Sequence, residues 1–258
     1  MIEYGLSISS DEHFERLAVK KVARFDFLEF PGALLDSDSA CRKLESLHRA
    51  GCSLVVRDLL DPTLVHLVQD EIFQVKLEFD RKLHQRCSVA HSLGADIAGA
   101  AFDVLNAVED KEYGKGLVSF IKSTLGTFYE NSLTIALPGR IPLPSGEFDI
   151  SDVIKFSRQI ICPNMIYALE FHPHEPGAFE TLEAHFELLR FHRDFWRICF
   201  EPEHGNMLNQ TILKRFLETL KLKEAVSCRV AVSPGHQLPD NEMIEELLKI
   251  IAEVEDEY

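Results

Sequence analysis

Long apolar runs, positive charge and cysteine motifs are scarce in this 258-residue chain. No stretch approaches the ~18 consecutive apolar residues of a membrane-spanning helix, and the N-terminus lacks the basic and apolar regions of a secretory signal. There are 27 basic residues against 42 acidic ones, a formal net charge of −15. This charge disfavours binding to the phosphate backbone of nucleic acids. We expect a cytoplasmic protein that binds neither membranes nor nucleic acid.

Several motifs of known chemistry are also missing. The six cysteines have no CxxC spacing, so they predict reduced thiols and not a zinc ribbon or a redox pair. No GxGxxG joins an early strand to a helix and no P-loop is present, so no nucleotide cofactor is expected. The absence of GxSxG gives hydrolysis by a serine nucleophile no support. No linker rich in Pro, Gly or Ser divides the chain, and we expect a single domain over residues 1–258.

What the chain does contain is a regular alternation of short apolar or β-branched runs with longer stretches of helical spacing, which is typical of βα units. The runs are Tyr4–Ile8, Phe25–Phe30, Ser53–Arg57, Ile97–Phe102, Ser132–Leu137, Ile166–Phe171, Phe195–Phe200 and Ser227–Val232. Eight units of about 30 residues match the roughly 250 residues of a typical barrel. We therefore predict an α/β protein with a single (β/α)8 TIM-barrel fold. An open doubly wound sheet is the alternative, which the lack of a dinucleotide motif weakens.

Carboxylates and imidazoles are grouped directly after the sixth and seventh predicted strands, in segments 170–175 and 201–204. Strand ends form the active-site face of a barrel, residues two apart share a face of a strand, and adjacent strands lie about 4.8 Å apart. These groups are ligands of divalent cations such as Mn²⁺, Mg²⁺ or Zn²⁺. The predicted ligands are Glu170, His172, His174, Glu201 and His204. A hydrogen-bonded polar network at the barrel mouth is the alternative interpretation.

Other charged residues at predicted strand ends are candidates for contacts with a substrate. A guanidinium matches a carboxylate or phosphate bidentately, although it can equally pair with an acid on the rim. Carboxylates can bind sugar hydroxyls or satisfy loop amides, and His and Glu are common proton carriers. The substrate-binding candidates are Glu29, Arg57, Asp103 and Arg140, and the proton-transfer candidates are Glu203 and His236.

Three segments, taken in chain order, resemble the xylose-isomerase-like barrels, a superfamily that includes sugar-phosphate isomerases and epimerases. They are Phe-Asp-Phe-Leu-Glu-Phe at 25–30, Ala-His-Ser-Leu-Gly-Ala at 90–95 and Pro-Asn-Met-Ile-Tyr-Ala-Leu-Glu at 163–170. The resemblance spans most of the chain and implies four metal ligands: Glu on strand five, Asp on strand six, His on strand seven or just after strand six, and Glu on strand eight. The chain departs from this pattern, because its fifth strand has no carboxylate and Ser233 stands where the last Glu is expected.

The resemblance makes an isomerase or epimerase that acts on a small sugar or sugar-like polyol the leading hypothesis. A divalent cation would polarise a carbonyl or hydroxyl, and a rim carboxylate would move the proton. Two alternatives stay open: a diverged barrel that binds a ligand or partner without catalysis, and a metal-dependent hydrolase. The expected partner is a small molecule, a sugar, and the sequence leaves a homo-oligomer open.

Overall fold

Eight parallel strands close into a barrel in the computed structural model of the chain. The structure describes residues 1–60, 73–100, 108–141, 150–160, 164–189, 194–202, 205–225, 227–234 and 239–257. The strands are β1 (Ile2–Ser7), β2 (Phe27–Phe30), β3 (Ser53–Leu60), β4 (Ala95–Ala100), β5 (Thr134–Ile141), β6 (Met165–Phe171), β7 (Phe195–Cys199) and β8 (Cys228–Ser233). Each strand pairs with the next, and β8 pairs with β1 to close the ring. The predicted (β/α)8 barrel is confirmed, and each of the eight predicted runs overlaps one strand.

Helices lie between the strands along the chain. They are α1 (Asp11–Arg16), α2 (Val19–Val22), α3 (Asp38–Arg49), α4 (Phe73–Ser92), α5 (Lys111–Glu130), α6 (Ile150–Ser157), α7 (Ala178–Ala184), α8 (Phe186–Leu189), α9 (Gln210–Thr219) and α10 (Asn241–Glu255), with 3-10 turns at Gly32–Asp36 and Leu222–Glu224. Side-chain caps fix the starts of the last two helices. Asn209 accepts a hydrogen bond from the backbone N–H of Ile212, and Asp240 accepts one from that of Met243. None of the helices described is long and apolar enough to cross a membrane.

The layer of the barrel interior nearer the N-terminal ends of the strands is apolar. Its members are Phe27, Val55, Ile97, Ala136, Ala168, Phe195 and Ala231. Gly5 on β1 leaves room for the aromatic ring of Phe27, because a Cβ at this position would lie 2.3 Å from a ring carbon. Side chains alternate between the two faces of a strand, so the residue two positions later on each strand also points into the barrel. The apolar layer is therefore the floor on which the next inward layer rests.

An ion cluster lies at the N-terminal end of the barrel. Arg229 donates to both carboxylate oxygens of Asp96, at 2.7 and 2.8 Å, and to Glu3 at 2.7 Å. Its guanidinium lies 5.7 Å from the centre of the Phe27 ring, on the side of the floor away from the catalytic face of a barrel. Burial lowers the pKa of Arg229, but Asp96 and Glu3 outweigh it and raise that pKa above its ordinary value. Because the cluster links β8 to β1 and β4 at the end of the barrel opposite the catalytic face, we expect it to stabilise the fold.

Strand β5 runs four residues beyond its predicted end at Leu137. Pro138 and Gly139 continue the strand, and pairing with β6 reaches Ile141. The backbone groups of Ile135 and Ile141 bond to the β6 segment, so the alternate residue Pro138 faces the β4 side. Pairing between β4 and β5 ends at Ala136, so the missing N–H of Pro138 removes no bond from that ladder. The extension carries Arg140 to the rim as part of a strand.

Candidate functional site

The second inward layer of the barrel is polar, in contrast to the floor. Each of its positions lies two residues after a floor position on the same strand. Those positions are Ser7, Glu29, Arg57, Gly99, Pro138, Glu170, Arg197 and Ser233. Gly99 lets the backbone of β3 approach, since a Cβ there would lie 1.8 Å from the carbonyl oxygen of Arg57. Four charged side chains thus point into the middle of the barrel.

Arg197 lies between the carboxylates of Glu29 and Glu170. Its Nε donates to Glu29 at 2.7 Å, one terminal nitrogen donates to the other Glu29 oxygen, and the second terminal nitrogen donates to Glu170. The side chains of Arg197 and Glu29 are 4% and 2% exposed, whereas that of Glu170 is 25% exposed. The bidentate pair is thus buried in the barrel, and Glu170 connects it to the mouth. We call these three residues the Glu-Arg-Glu triad.

The charges of the triad stabilise one another. Burial would raise the pKa of Glu29, but Arg197 and then Arg57 outweigh it and hold that pKa below its ordinary value. Burial likewise opposes ionisation of Glu170, but His172, Arg197 and Arg57 hold its pKa far below the usual range. Burial would lower the pKa of Arg197, and the two carboxylates raise it instead. Both carboxylates and the guanidinium are therefore charged at neutral pH.

A chain of partly exposed charges crosses the mouth of the barrel above the triad. Arg57 Nη2 lies 3.3 Å from Glu170 Oε1, the same oxygen that the buried guanidinium contacts. The other oxygen, Oε2, faces His172 Nε2 at 3.8 Å, and His172 Nδ1 lies 3.9 Å from Glu175 Oε1. Glu175 in turn accepts a hydrogen bond from Arg140. A ligand at the mouth would meet alternating basic and acidic groups from β3, β5, β6 and the segment that follows β6.

Two nitrogen atoms in this chain of charges have an unused capacity for hydrogen bonding. His172 Nε2 and Arg140 Nε are both buried, and neither has a hydrogen-bond partner among the described residues. Buried polar atoms in folded proteins nearly always have a partner, which can be a bound molecule. The pair therefore marks the place where a polar ligand would complete the site.

The structure brings together five of the predicted site residues and leaves two others exposed. Glu29, Arg57, Arg140, Glu170 and His172 converge as described above. Glu201 is exposed, and its backbone pairs with that of Asn206. His174 is also exposed, with Nε2 3.2 Å from the carbonyl oxygen of Met207. Asp103, Glu203, His204 and His236 lie outside the described residues.

Sequence reasoning missed Arg197, which lies at the centre of the site, and its neighbour Cys199. The signal was a charged residue within the apolar run Phe-Trp-Arg-Ile-Cys-Phe, sharing a strand face with Phe195 of the floor. Cys199 is 8% exposed, and burial chiefly raises the pKa of its thiol to about 12. The thiol is therefore protonated at neutral pH.

Glu170, His172 and Cys199 each offer an atom of ligand type, and these atoms lie within 4.8 Å of one another. Their surroundings do not suit a divalent cation. A cation there would lie beside the guanidinium of Arg197, which hydrogen-bonds to Glu170, and the two positive charges would repel each other. Glu170 is already ion-paired, and a thiol with a pKa of about 12 is a poor source of the thiolate that a metal binds. The three residues thus resemble a metal site in their spacing, but the one negative charge among them, on Glu170, is already paired with Arg197.

Solved structures with the same architecture match the chain over almost its whole length. D-psicose 3-epimerase from Clostridium cellulolyticum H10, solved with D-tagatose, is 13% identical with a TM-score of 0.66, covering 98% of each chain. A xylose isomerase domain protein from Alicyclobacillus acidocaldarius is 17% identical with a TM-score of 0.64, covering 99% of this chain and 100% of that one. The probable 3-DHS dehydratase AsbF from Bacillus anthracis is 12% identical with a TM-score of 0.65, covering 97% and 98%.

No protein-family model and no curated protein sequence matches the chain. The structural likenesses confirm the predicted (β/α)8 barrel fold. At identities of 12 to 17% they concern the fold alone.

Proposed function

We propose that the protein binds a small sugar or sugar-like polyol at the mouth of the barrel and moves a proton on it, as an isomerase or epimerase does. The observation that carries this proposal is the position of His172. Its imidazole stands at the mouth between two carboxylates, and its buried Nε2 has no hydrogen-bond partner among the described residues. Imidazole is the commonest group for general acid-base catalysis, so this nitrogen is suited to receive and return a proton.

The neighbouring groups fit this role. Glu170 and Glu175 flank the two ring nitrogens, with carboxylate oxygens at 3.8 and 3.9 Å, so the imidazole stands between two carboxylates. Removing a proton next to a sugar carbonyl places negative charge on the carbonyl oxygen, and Arg57 and Arg140 are the donors available to stabilise it. Return of the proton to the opposite face of the same carbon gives epimerisation. Its return to the neighbouring carbon, with transfer of the hydroxyl proton to the former carbonyl oxygen, gives isomerisation. Both steps conserve atoms and charge.

The charge balance of the site favours a neutral substrate. The three arginines of the site, Arg57, Arg140 and Arg197, each pair with a glutamate among the described residues. No guanidinium of this set is left without a counter-charge, so we expect a neutral sugar to bind better than its phosphate. The solved structure of similar fold that contains D-tagatose belongs to a protein named as a sugar epimerase, which agrees with this substrate class. Glu203 and His236 stay candidates for a second proton carrier.

Proton exchange tests the proposal directly. A panel of neutral ketoses and aldoses, with the corresponding phosphates, is incubated with the protein in D2O, and NMR measures deuterium entry at the carbon next to the carbonyl. We expect exchange with at least one neutral sugar, and we expect His172→Gln to slow it by roughly 100-fold or more. His174→Gln is the matched control, because His174 is exposed and contacts only the Met207 carbonyl among the contacts described. Exchange that survives His172→Gln would contradict the proposal.

A second candidate function is ligand binding without catalysis. The inward residues of β5 and β8 include no carboxylate, since Pro138, Arg140 and Ser233 occupy these places. Binding of a sugar, seen by saturation-transfer NMR, without any deuterium exchange would favour this alternative.

A further inference from the structure

We infer that Arg197 is a built-in cation that occupies the place of a bound metal ion, so that the part of the barrel interior formed by the described residues takes no divalent cation. Two carboxylates, Glu29 and Glu170, point into the barrel from β2 and β6. Side by side and ionised, they need a positive charge between them. In this chain the positive charge comes from a side chain of β7.

The guanidinium already uses the oxygens that a cation would need. Three hydrogen bonds from Arg197 occupy both oxygens of Glu29 and one oxygen of Glu170. The Glu170 oxygen that Arg197 contacts also receives Arg57 at 3.3 Å. A single oxygen, Glu170 Oε2, is left facing His172. One carboxylate oxygen and one imidazole, beside two guanidinium groups, form a weak site for a divalent cation.

Arg197 is also held in place. Its neighbours Trp196 and Ile198 point to the opposite face of β7 and are fully buried, with Trp196 packed on Phe216 of α9 at 5.3 Å between ring centres. In the sheet, Arg197 itself is the β7 residue paired with Glu170 of β6 on one side and with Ala231 of β8 on the other. The backbone that carries Arg197 is therefore fixed, and three hydrogen bonds hold its guanidinium between the two carboxylates.

The test measures metal binding and needs no turnover, so its outcome is independent of the proposed function. Chelator-treated protein is titrated with Mn²⁺ and Zn²⁺ by calorimetry, and thermal unfolding is followed with each metal. For the unaltered protein we expect no binding that depends on Glu170 up to about 1 mM. Binding of one equivalent that is lost in Glu170→Gln would overturn the inference, whatever the behaviour of any other variant.

Variants at position 197 give the complementary test. Arg197→Met removes the charge but keeps an unbranched side chain, and it frees both carboxylates. We expect it to bind Mn²⁺ or Zn²⁺ at least about 100-fold more tightly than the unaltered protein, because one positive charge has left the site. Arg197→Lys, which keeps a positive charge, is the matched control and should stay insensitive to metal. A folded Arg197→Met variant that binds neither cation would overturn the claim that Arg197 fills a cation position.

Discussion

Replacing Arg197 with methionine should destabilise the barrel by about 3–5 kcal/mol at pH 7, because it leaves a buried carboxylate without its counter-charge. Glu29 is 1% exposed and loses both of its hydrogen bonds to Arg197. For a chain of this size, each kcal/mol lowers the melting temperature by about 2 °C, so the expected decrease is roughly 6–10 °C. Glu170 adds less to the loss, since it is partly exposed and keeps Arg57 nearby.

The loss should depend on pH in a defined direction. In the unaltered protein the pKa of Glu29 is lowered, so its contribution to stability is present above the unfolded value of about 4.3 and is lost as the pH falls through the folded pKa. Without Arg197, burial dominates over the remaining neighbours Arg57 and Ser7 and raises the pKa of Glu29 above its unfolded value. Its ionised form then opposes folding at neutral pH, and this penalty shrinks as the pH falls. The difference between the two proteins should therefore be largest near pH 7 and smaller at pH 5.

Denaturant unfolding followed by tryptophan fluorescence measures both effects. Trp196 is the one tryptophan of the chain, is fully buried and lies next to the substituted residue. Arg16→Met is a matched control, because its pair with Glu12 is exposed and worth less than about 1 kcal/mol. The double variant Glu29→Leu with Arg197→Met removes both buried charges and should recover most of the loss. A loss below about 1 kcal/mol at pH 7, or no recovery in the double variant, would refute the reasoning.

Three further predictions concern other parts of the barrel. Arg229→Met removes the ion cluster at the N-terminal end and should cost about 1–2 kcal/mol, as measured by urea unfolding, while leaving sugar binding unchanged. Gly99→Ala should cost about 1–3 kcal/mol and weaken sugar binding, because the new Cβ would collide with the Arg57 backbone; Gly116→Ala, in open space on α5, is the control and should be neutral or stabilising. Cys199, with its thiol pKa raised to about 12, should resist alkylation at pH 8 until the protein unfolds, as peptide mass spectrometry would show. Prompt labelling of the native protein would contradict this.

The strands were predictable because parallel strands of a barrel are buried on both faces and appear in sequence as short apolar runs. The mouth of the site was predictable for a related reason, since all strand ends of a barrel meet on one face. That rule alone placed Arg57, Arg140, Glu170 and His172 together. The end of β5 was not predictable in this way, because a proline usually ends a strand. Pro138 is accepted within β5 because its nitrogen faces the side on which no hydrogen bond is needed, which only the structure shows.

The triad could not be found by periodicity, because Arg197 and Glu29 are 168 residues apart in sequence and meet only when the barrel closes. The alternation of side chains between the two faces of a strand nevertheless predicts that these residues point into the barrel. Once Phe195 is placed on the floor of the barrel, Arg197 must point inward one layer higher, and the same step places Glu29 above Phe27. An arginine and two glutamates that share one inward layer of a barrel are expected to pair with one another, because burial of a charge without a partner is costly. An inward-facing arginine within an apolar strand is therefore the sequence feature that distinguishes this site from one built around a bound cation.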